Sequence, residues 1–337
     1  MALVDRVAPD QQVQPPSPLP GLVVALVLAA AATGLGLLVP VVGGPVFGIL
    51  LGIVCGTFVP GLRSARLAVG YTLASKKVLQ LSIVVLGLGL SLGTVVDVGG
   101  SSLPVMLGTL AIALGGAYVL GRLLGVRGDT QLLIGVGTGI CGASAIAATT
   151  AVIGAEKSKV AYAIGTIFTF NIAAVLLFGP IGHLLGLSQH AFGLWAGTAI
   201  NDTSSVVAAA FGYGPEAGGY GIVVKLTRAL MLVPIVLVLA WRRSGRRVAP
   251  HKVVPVFLVG FLVASLLNTI GLVPASWHGP IGVFGTFLIT MALAGIGLGM
   301  RPDDLRAAGP RPLLLGGLLW VAVAASSLGL QALTGQL

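Results

Sequence analysis

Apolar runs of bilayer length recur along the whole of this chain and leave it little choice of fold. They lie at about 22–39, 44–60, 78–96, 103–121, 161–186, 220–241, 253–273, 280–300 and 312–334, each close to the roughly 20 residues that carry an α-helix across a hydrocarbon core. With 56% hydrophobic and 8% charged residues, these runs are too many to form the buried core of a soluble domain. The sequence predicts an all-α polytopic membrane protein, with one transmembrane domain over 21–337. Residues 1–20 differ: Pro15, Pro16, Pro18 and Pro20 accompany Asp5, Asp10 and a single basic residue, Arg6. That composition predicts a short disordered tail that is kept rather than a cleaved signal peptide.

Two further segments repeat one another about sixty residues apart: Gly137-Thr138-Gly139-Ile140-Cys141-Gly142-Ala143-Ser144 and Gly197-Thr198-Ala199-Ile200-Asn201-Asp202-Thr203-Ser204. Glycine, hydroxyl and amide groups at membrane depth are costly unless they line a site. Gly-interrupted segments in both halves of a membrane protein are a sequence pointer to a transporter's binding site.

The basic residues decide how the segments near 132–153 and 192–212 are threaded. They cluster as Arg6; Arg63, Arg66, Lys76 and Lys77; Arg122 and Arg127; Lys157 and Lys159; Arg242, Arg243, Arg246, Arg247 and Lys252; and Arg301, Arg306 and Arg311. If both segments cross, the chain has eleven spans, two of them broken helices, and Lys157 and Lys159 fall outside, against the positive-inside rule. If each turns back as a re-entrant hairpin, every one of these clusters is cytoplasmic. The expectation is therefore nine spans plus two re-entrant segments, N-terminus cytoplasmic and C-terminus outside, with eleven spans as the alternative.

Under nine spans the two hairpins enter from opposite faces. Gly87-Leu88-Gly89-Leu90-Ser91-Leu92 and Gly295-Ile296-Gly297-Leu298-Gly299-Met300 likewise fall on spans of opposite direction. These matches predict inverted repeats over 44–186 and 191–335. A separate stripe, Gly44, Gly48, Gly52 and Gly56, recurs every four residues and admits a close helix neighbour, either in a homodimer or within the subunit.

Several patterns carry no chemistry here. Gly137-x-Gly139-x-x-Gly142 matches the dinucleotide fingerprint but lacks the soluble strand-turn-helix that motif needs, so no nucleotide cofactor is expected. The net charge of +10 is spread over short loops, which topology and anionic lipid explain better than nucleic acid. Cys55 and Cys141 lie in apolar runs without a CxxC, and His183, His190, His251 and His278 have no ligand spacing, so neither a disulfide framework nor a metal site is expected. Ser144 and Cys141 have no histidine partner in the spans, which argues against an intramembrane enzyme.

What remains is a small set of polar groups at membrane depth. Asp202 is the one carboxylate deep in a predicted membrane segment, flanked by Asn201, Thr203, Ser204 and Ser205. Lys225 and Arg228 stand three residues apart on the next span and share a face. They could snorkel to the nearby loop or neutralise Asp202 in a salt bridge. Thr138, Cys141, Ser144 and Thr198 offer weak donors, while Gly139 and Gly142 leave backbone N–H groups accessible. Two half-helix N-termini meeting near the midplane would attract an oxyanion, with Lys225 and Arg228 adding charge. Asp202 would then serve as the coupling residue, taking a proton or sodium.

At these residues the chain resembles a known family. Cys141-Gly142-Ala143-Ser144-Ala145-Ile146, the run from Gly197 to Val206 and Val224-Lys225-Leu226-Thr227-Arg228 are similar to the YeiH-type sulfate exporter family of bacterial inner-membrane proteins, and the resemblance extends over about 22–335. It implies a place in the cation/proton antiporter and anion transporter grouping, inverted repeats with interrupted helices crossing in a transport domain, and elevator-like alternating access, often in dimers. It implies export of sulfate or sulfite. The residues leave a second possibility open, a proton- or sodium-coupled carrier of organic acids with Asp202 as the cation site.

Overall fold

The computed structural model describes residues 17–39, 43–244, 255–300 and 309–337. Most of the predicted tail, and Arg6, Arg246, Arg247, Lys252, Arg301 and Arg306 of the loop clusters, lie outside these. Among the described residues every regular element is helical. Seven helical stretches are long and apolar enough to cross a membrane. They are α1 (Leu19–Leu38), α3 and α4 together (Ala65–Leu73 and Leu79–Gly87, joined by a π turn at Ala74–Val78), α5 (Leu92–Leu123), α8 (Lys157–Leu184), α11 with most of α12 (Pro215–Leu230 and Leu232–Ser244), α14 (His278–Gly299) and α15 (Pro310–Thr334). Of three shorter apolar helices among the described residues, two run among these spans, α2 (Gly43–Phe58) and α13 (Val256–Thr269), and the third, Ala143–Ile153, belongs to an interrupted segment. These nine stretches lie where the nine spans were expected, seven of them long enough to cross and α2 and α13 shorter, with 16 and 14 residues. Their outward faces carry exposed Val23, Val27, Leu176, Val259 and Val321, as suits helices solvated by lipid rather than water.

The remaining four helices settle the threading. Helix α6 (Asp129–Gly139) is followed by a break and by α7 (Ala143–Ile153), and α9 (Gln189–Ala199) by a break and α10 (Thr203–Tyr213). Lys159, at the start of α8, pairs with Asp129 at the start of α6 at 3.6 Å, so the chain leaves α7 at the end where it entered α6. In the second segment the Gln189 side-chain oxygen accepts from the Glu216 and Ala217 N–H groups at 3.0 and 3.2 Å, and the Tyr213 hydroxyl donates to the Leu187 carbonyl at 2.5 Å. Both segments are re-entrant hairpins, which excludes the eleven-span alternative. Helix α8 separates their mouths. Its 28 residues extend about 42 Å, and the hairpins therefore enter from opposite ends.

Two details correct the expected spans. The link placed between 96 and 103 lies instead at 88–91, because Ser91 caps α5 by accepting from the Thr94 N–H at 3.0 Å. Gly87-Leu88-Gly89-Leu90-Ser91 is thus mainly a turn, whereas Gly295, Gly297 and Gly299 stay helical. Lys76 and Lys77, expected in a loop, sit on the π turn within the α3–α4 stretch.

The spans form two packed groups, α1 to α4 with α13 and α14, and α5 to α12 with α15. The Gly44/48/52/56 stripe works inside the first group, against α14. A Cβ at Gly48 would come within 2.8 Å of the Thr290 carbonyl, and one at Gly52 within 2.5 Å of the Ala294 carbonyl. The stripe's face is therefore filled within the subunit. An apolar cluster joins the groups, with Ile49, Ile83, Phe261 and Ile289 on one side and Val175, Val207, Ile222 and Leu226 on the other.

Candidate functional site

The hairpin tips meet in the interior of the second group. Each tip brings together the C-terminal end of one half-helix and the N-terminal end of the next, and the four ends have different needs. The last carbonyls of a helix lack intrahelical donors and carry partial negative charge. At the ends of α6 and α9 those carbonyls are met by α11. Lys225 Nζ donates to the Ile140 and Ile200 carbonyls, both at 2.8 Å. Arg228 Nε donates to the Gly139 carbonyl at 2.6 Å, Nη2 to the Thr138 carbonyl at 3.4 Å and Nη1 to the Thr198 carbonyl. Both side chains are fully buried.

This replaces two of the readings open to Lys225 and Arg228. Neither snorkels to a loop, and neither pairs with Asp202: among the described residues the ion pairs are those of Lys159 with Asp129 and Glu156. Three residues apart on one helix face, they join the tips of the two hairpins through backbone.

The two N-terminal ends differ from each other. Gly142 and Asp202 occupy the same position in the repeated octapeptide, and each precedes the first residue of its helix. Asp202 caps α10, its carboxylate accepting from the Ser204 N–H at 3.0 Å and from the Ser204 hydroxyl. Gly142 has φ +63° and offers no side chain to α7. A Cβ placed on it would lie 3.4 Å from the Asp202 Cβ, so Asp202 stands directly beside this end of α7.

The other predicted residues divide between the tips and their surroundings. Cys141 and Asn201 are buried at the tips, and the Asn201 Oδ1 and Thr138 Oγ1 atoms have no hydrogen-bond partner. Ser144 is exposed in the first turn of α7, Thr203 and Ser204 are half-buried and Ser205 is buried in the first turn of α10. Gly139 turns its Cα face to α5, where a Cβ would meet Leu110 at 3.0 Å. The Thr198 hydroxyl faces α15, 2.7 Å from the Ser327 hydroxyl.

Asn171 was not among the expected residues. It lies buried in the middle of α8, and its side-chain oxygen accepts from the Asp202 N–H at 3.2 Å, tying the second tip to a spanning helix. Ser327 and Gln331 of α15 form another buried polar pair, at 3.2 Å. An amide inside a long apolar run was the available signal in each case.

Comparison with known proteins covers this whole arrangement. A family model described as Conserved hypothetical protein 698 matches residues 20–316. Similar proteins include a UPF0324 membrane protein of Streptococcus agalactiae, 41% identical over 331 residues, which span 94% of this chain and 98% of that one. The chain belongs to the UPF0324 family of membrane proteins. Another member, from Fusobacterium nucleatum, is 40% identical over 344 aligned residues, with 94% of this chain and 98% of its own covered. A third, from Streptococcus pneumoniae, is 40% identical, with 94% and 97% covered. Both hairpins and α11 fall inside the region the family model matches.

Proposed function

We propose that the protein is a secondary transporter of the YeiH type, which exports a small oxyanion such as sulfate or sulfite across a bacterial inner membrane by elevator-like alternating access. The observation that carries this reading is the N-terminal end of α7, to which its N-cap residue Gly142 offers no side chain, beside Asp202 and inside a crossing whose negative ends are already neutralised by Lys225 and Arg228. A helix N-terminus with free N–H groups favours an oxyanion. The exposed Ser144 hydroxyl in its first turn would add a donor. Lys225 and Arg228, with their hydrogen bonds made to carbonyls, act by holding this geometry and by their field rather than as direct ligands.

Asp202 gives the coupling. As a carboxylate it repels an anion at α7, and a proton on it removes that repulsion, so anion binding and protonation of Asp202 are linked. The apolar contact between the two helix groups suits movement of one past the other. The N-terminus is cytoplasmic and the C-terminus outside in this reading, since that arrangement leaves the loop Lys and Arg residues inside. The protein uses no cofactor or metal and is a transporter rather than an enzyme.

One observation favours a second reading. Asn201 Oδ1 is an acceptor without a partner next to Asp202, and together they could hold sodium, making the protein a cation-coupled carrier of organic acids. Uptake of labelled sulfate, sulfite and small carboxylates into proteoliposomes separates the two, with a pH or sodium gradient imposed. The first reading expects oxyanion transport driven by the pH gradient, and loss of that dependence in Asp202→Asn. Full activity with unchanged pH dependence in that variant would rule out the coupling role. Carboxylate transport driven by sodium alone would select the second reading.

A further inference from the structure

A crevice of about 640 Å³ opens between α5, α6 and α12, on the outer side of the first hairpin. Its walls are apolar, with Leu114 on α5, Leu132 and Val136 on α6, and Ile235 and Val238 on α12. Its rim is not. Arg242 lines the mouth with Gln131 and Tyr118, and the Arg122 guanidinium lies over the Tyr118 ring, 4.3 Å from its centroid. Trp241, next to Arg242, is exposed, as befits an aromatic side chain at headgroup level. From Arg242 the crevice descends to Pro234, about 12 Å along the helix axis at 1.5 Å per residue.

A cationic mouth at the interface above an apolar slot pointing to the midplane has the polarity of a lipid leaflet. We propose that this crevice binds an anionic phospholipid, its phosphate at Arg242 and Arg122 and one acyl chain between α6 and α12. The apolar walls argue against a soluble anion, which would need donors along the depth of the slot. A zwitterionic lipid would gain the slot but less from the arginines, each of which draws an anionic headgroup through the surface field. Asp129, the acid adjoining the rim residue Gly128, is paired with Lys159.

The site would also act on the hairpin. Val136 is on the crevice wall, and three residues further along α6 the Gly139 carbonyl accepts from Arg228. A chain seated there packs α6 from the lipid side and so favours the joined tips.

The test titrates the purified full-length protein in detergent with phosphatidylglycerol, phosphatidylcholine of the same chains, and glycerol 3-phosphate, reading unfolding temperature and adducts by native mass spectrometry. Phosphatidylglycerol is expected to stay bound and raise the unfolding temperature, with phosphatidylcholine weaker and glycerol 3-phosphate inert. Arg242→Gln should weaken phosphatidylglycerol binding about fivefold, as loss of one headgroup contact implies. Val238→Trp, which fills the slot and keeps the charge, should remove the adduct, and the surface change at Arg242 keeps the test readable if that variant does not fold. Equal binding of the two lipids with no effect of Arg242→Gln overturns the proposal. So does stabilisation by glycerol 3-phosphate as large as that by the whole lipid, which would mark a free-anion site instead.

Discussion

A lysine and an arginine buried in a bilayer need partners, and here the partners are the backbone ends of two broken helices. Lys225 and Arg228 together bond carbonyls of residues 138, 139, 140, 198 and 200, so each charge is stabilised by several dipoles instead of one carboxylate. Leaving a buried hydrogen-bonding group without its partner costs about 1–3 kcal/mol. Arg228→Met removes the donor to three carbonyls and is expected to destabilise the protein by about 3 kcal/mol, by analogy with such losses. Lys225→Met should cost less. Denaturant titration in detergent measures both, and an Arg228→Met protein as stable as the parent would refute the joining role. The sequence was enough to single out these two residues, because charge inside an apolar run is conspicuous. Their partners were hidden, since a backbone carbonyl looks the same at every position of a sequence.

At the scale of the element, one octapeptide written twice gives two different turns. The first tip turns on Gly142, with φ +63° and ψ −130°, a region that side-chain-bearing residues avoid at a cost of about 1–3 kcal/mol. The second turns through Asn201 between Ile200 and Asp202, both extended, with no positive φ, and needs no glycine. That frees the position equivalent to Gly142 for a carboxylate, which then caps its own helix. Gly142→Ala should therefore lower the unfolding temperature and slow transport, while Asp202→Gly should cost a cap, about 1 kcal/mol or less, and abolish pH coupling. Equal effects of the two changes on coupling would argue against the asymmetry. The expected hairpins, 132–153 and 192–212, fell within the observed ones because their Gly and Thr residues interrupt an apolar pattern. The link at 88–91 was missed for the opposite reason. Its residues are Leu and Gly like the spans around it, and only the Ser91 cap reveals it.

For the molecule as a whole, opposite entry of the hairpins predicts opposite labelling. In a Cys55→Ser, Cys141→Ser background, Glu156→Cys and Glu216→Cys place thiols at the two ends of α8. An impermeant thiol reagent on intact cells is expected to reach position 216 and not 156. Both reacting from one side would contradict the opposed hairpins, and the reverse pattern would overturn only the orientation.

The sequence by itself determined that this chain fills a membrane with helices, where it is interrupted and which charges those interruptions contain, because hydropathy and helix breaking are local properties. The tertiary structure decided what the interruptions do. Asp129 with Lys159, and Gln189 with the backbone after α10, turn both segments back. The same folding brings α11 across both tips and sets the N-terminal end of α7 beside Asp202. Such contacts join residues far apart in the chain, and they form only when helices are packed closely enough for buried backbone groups to require one another.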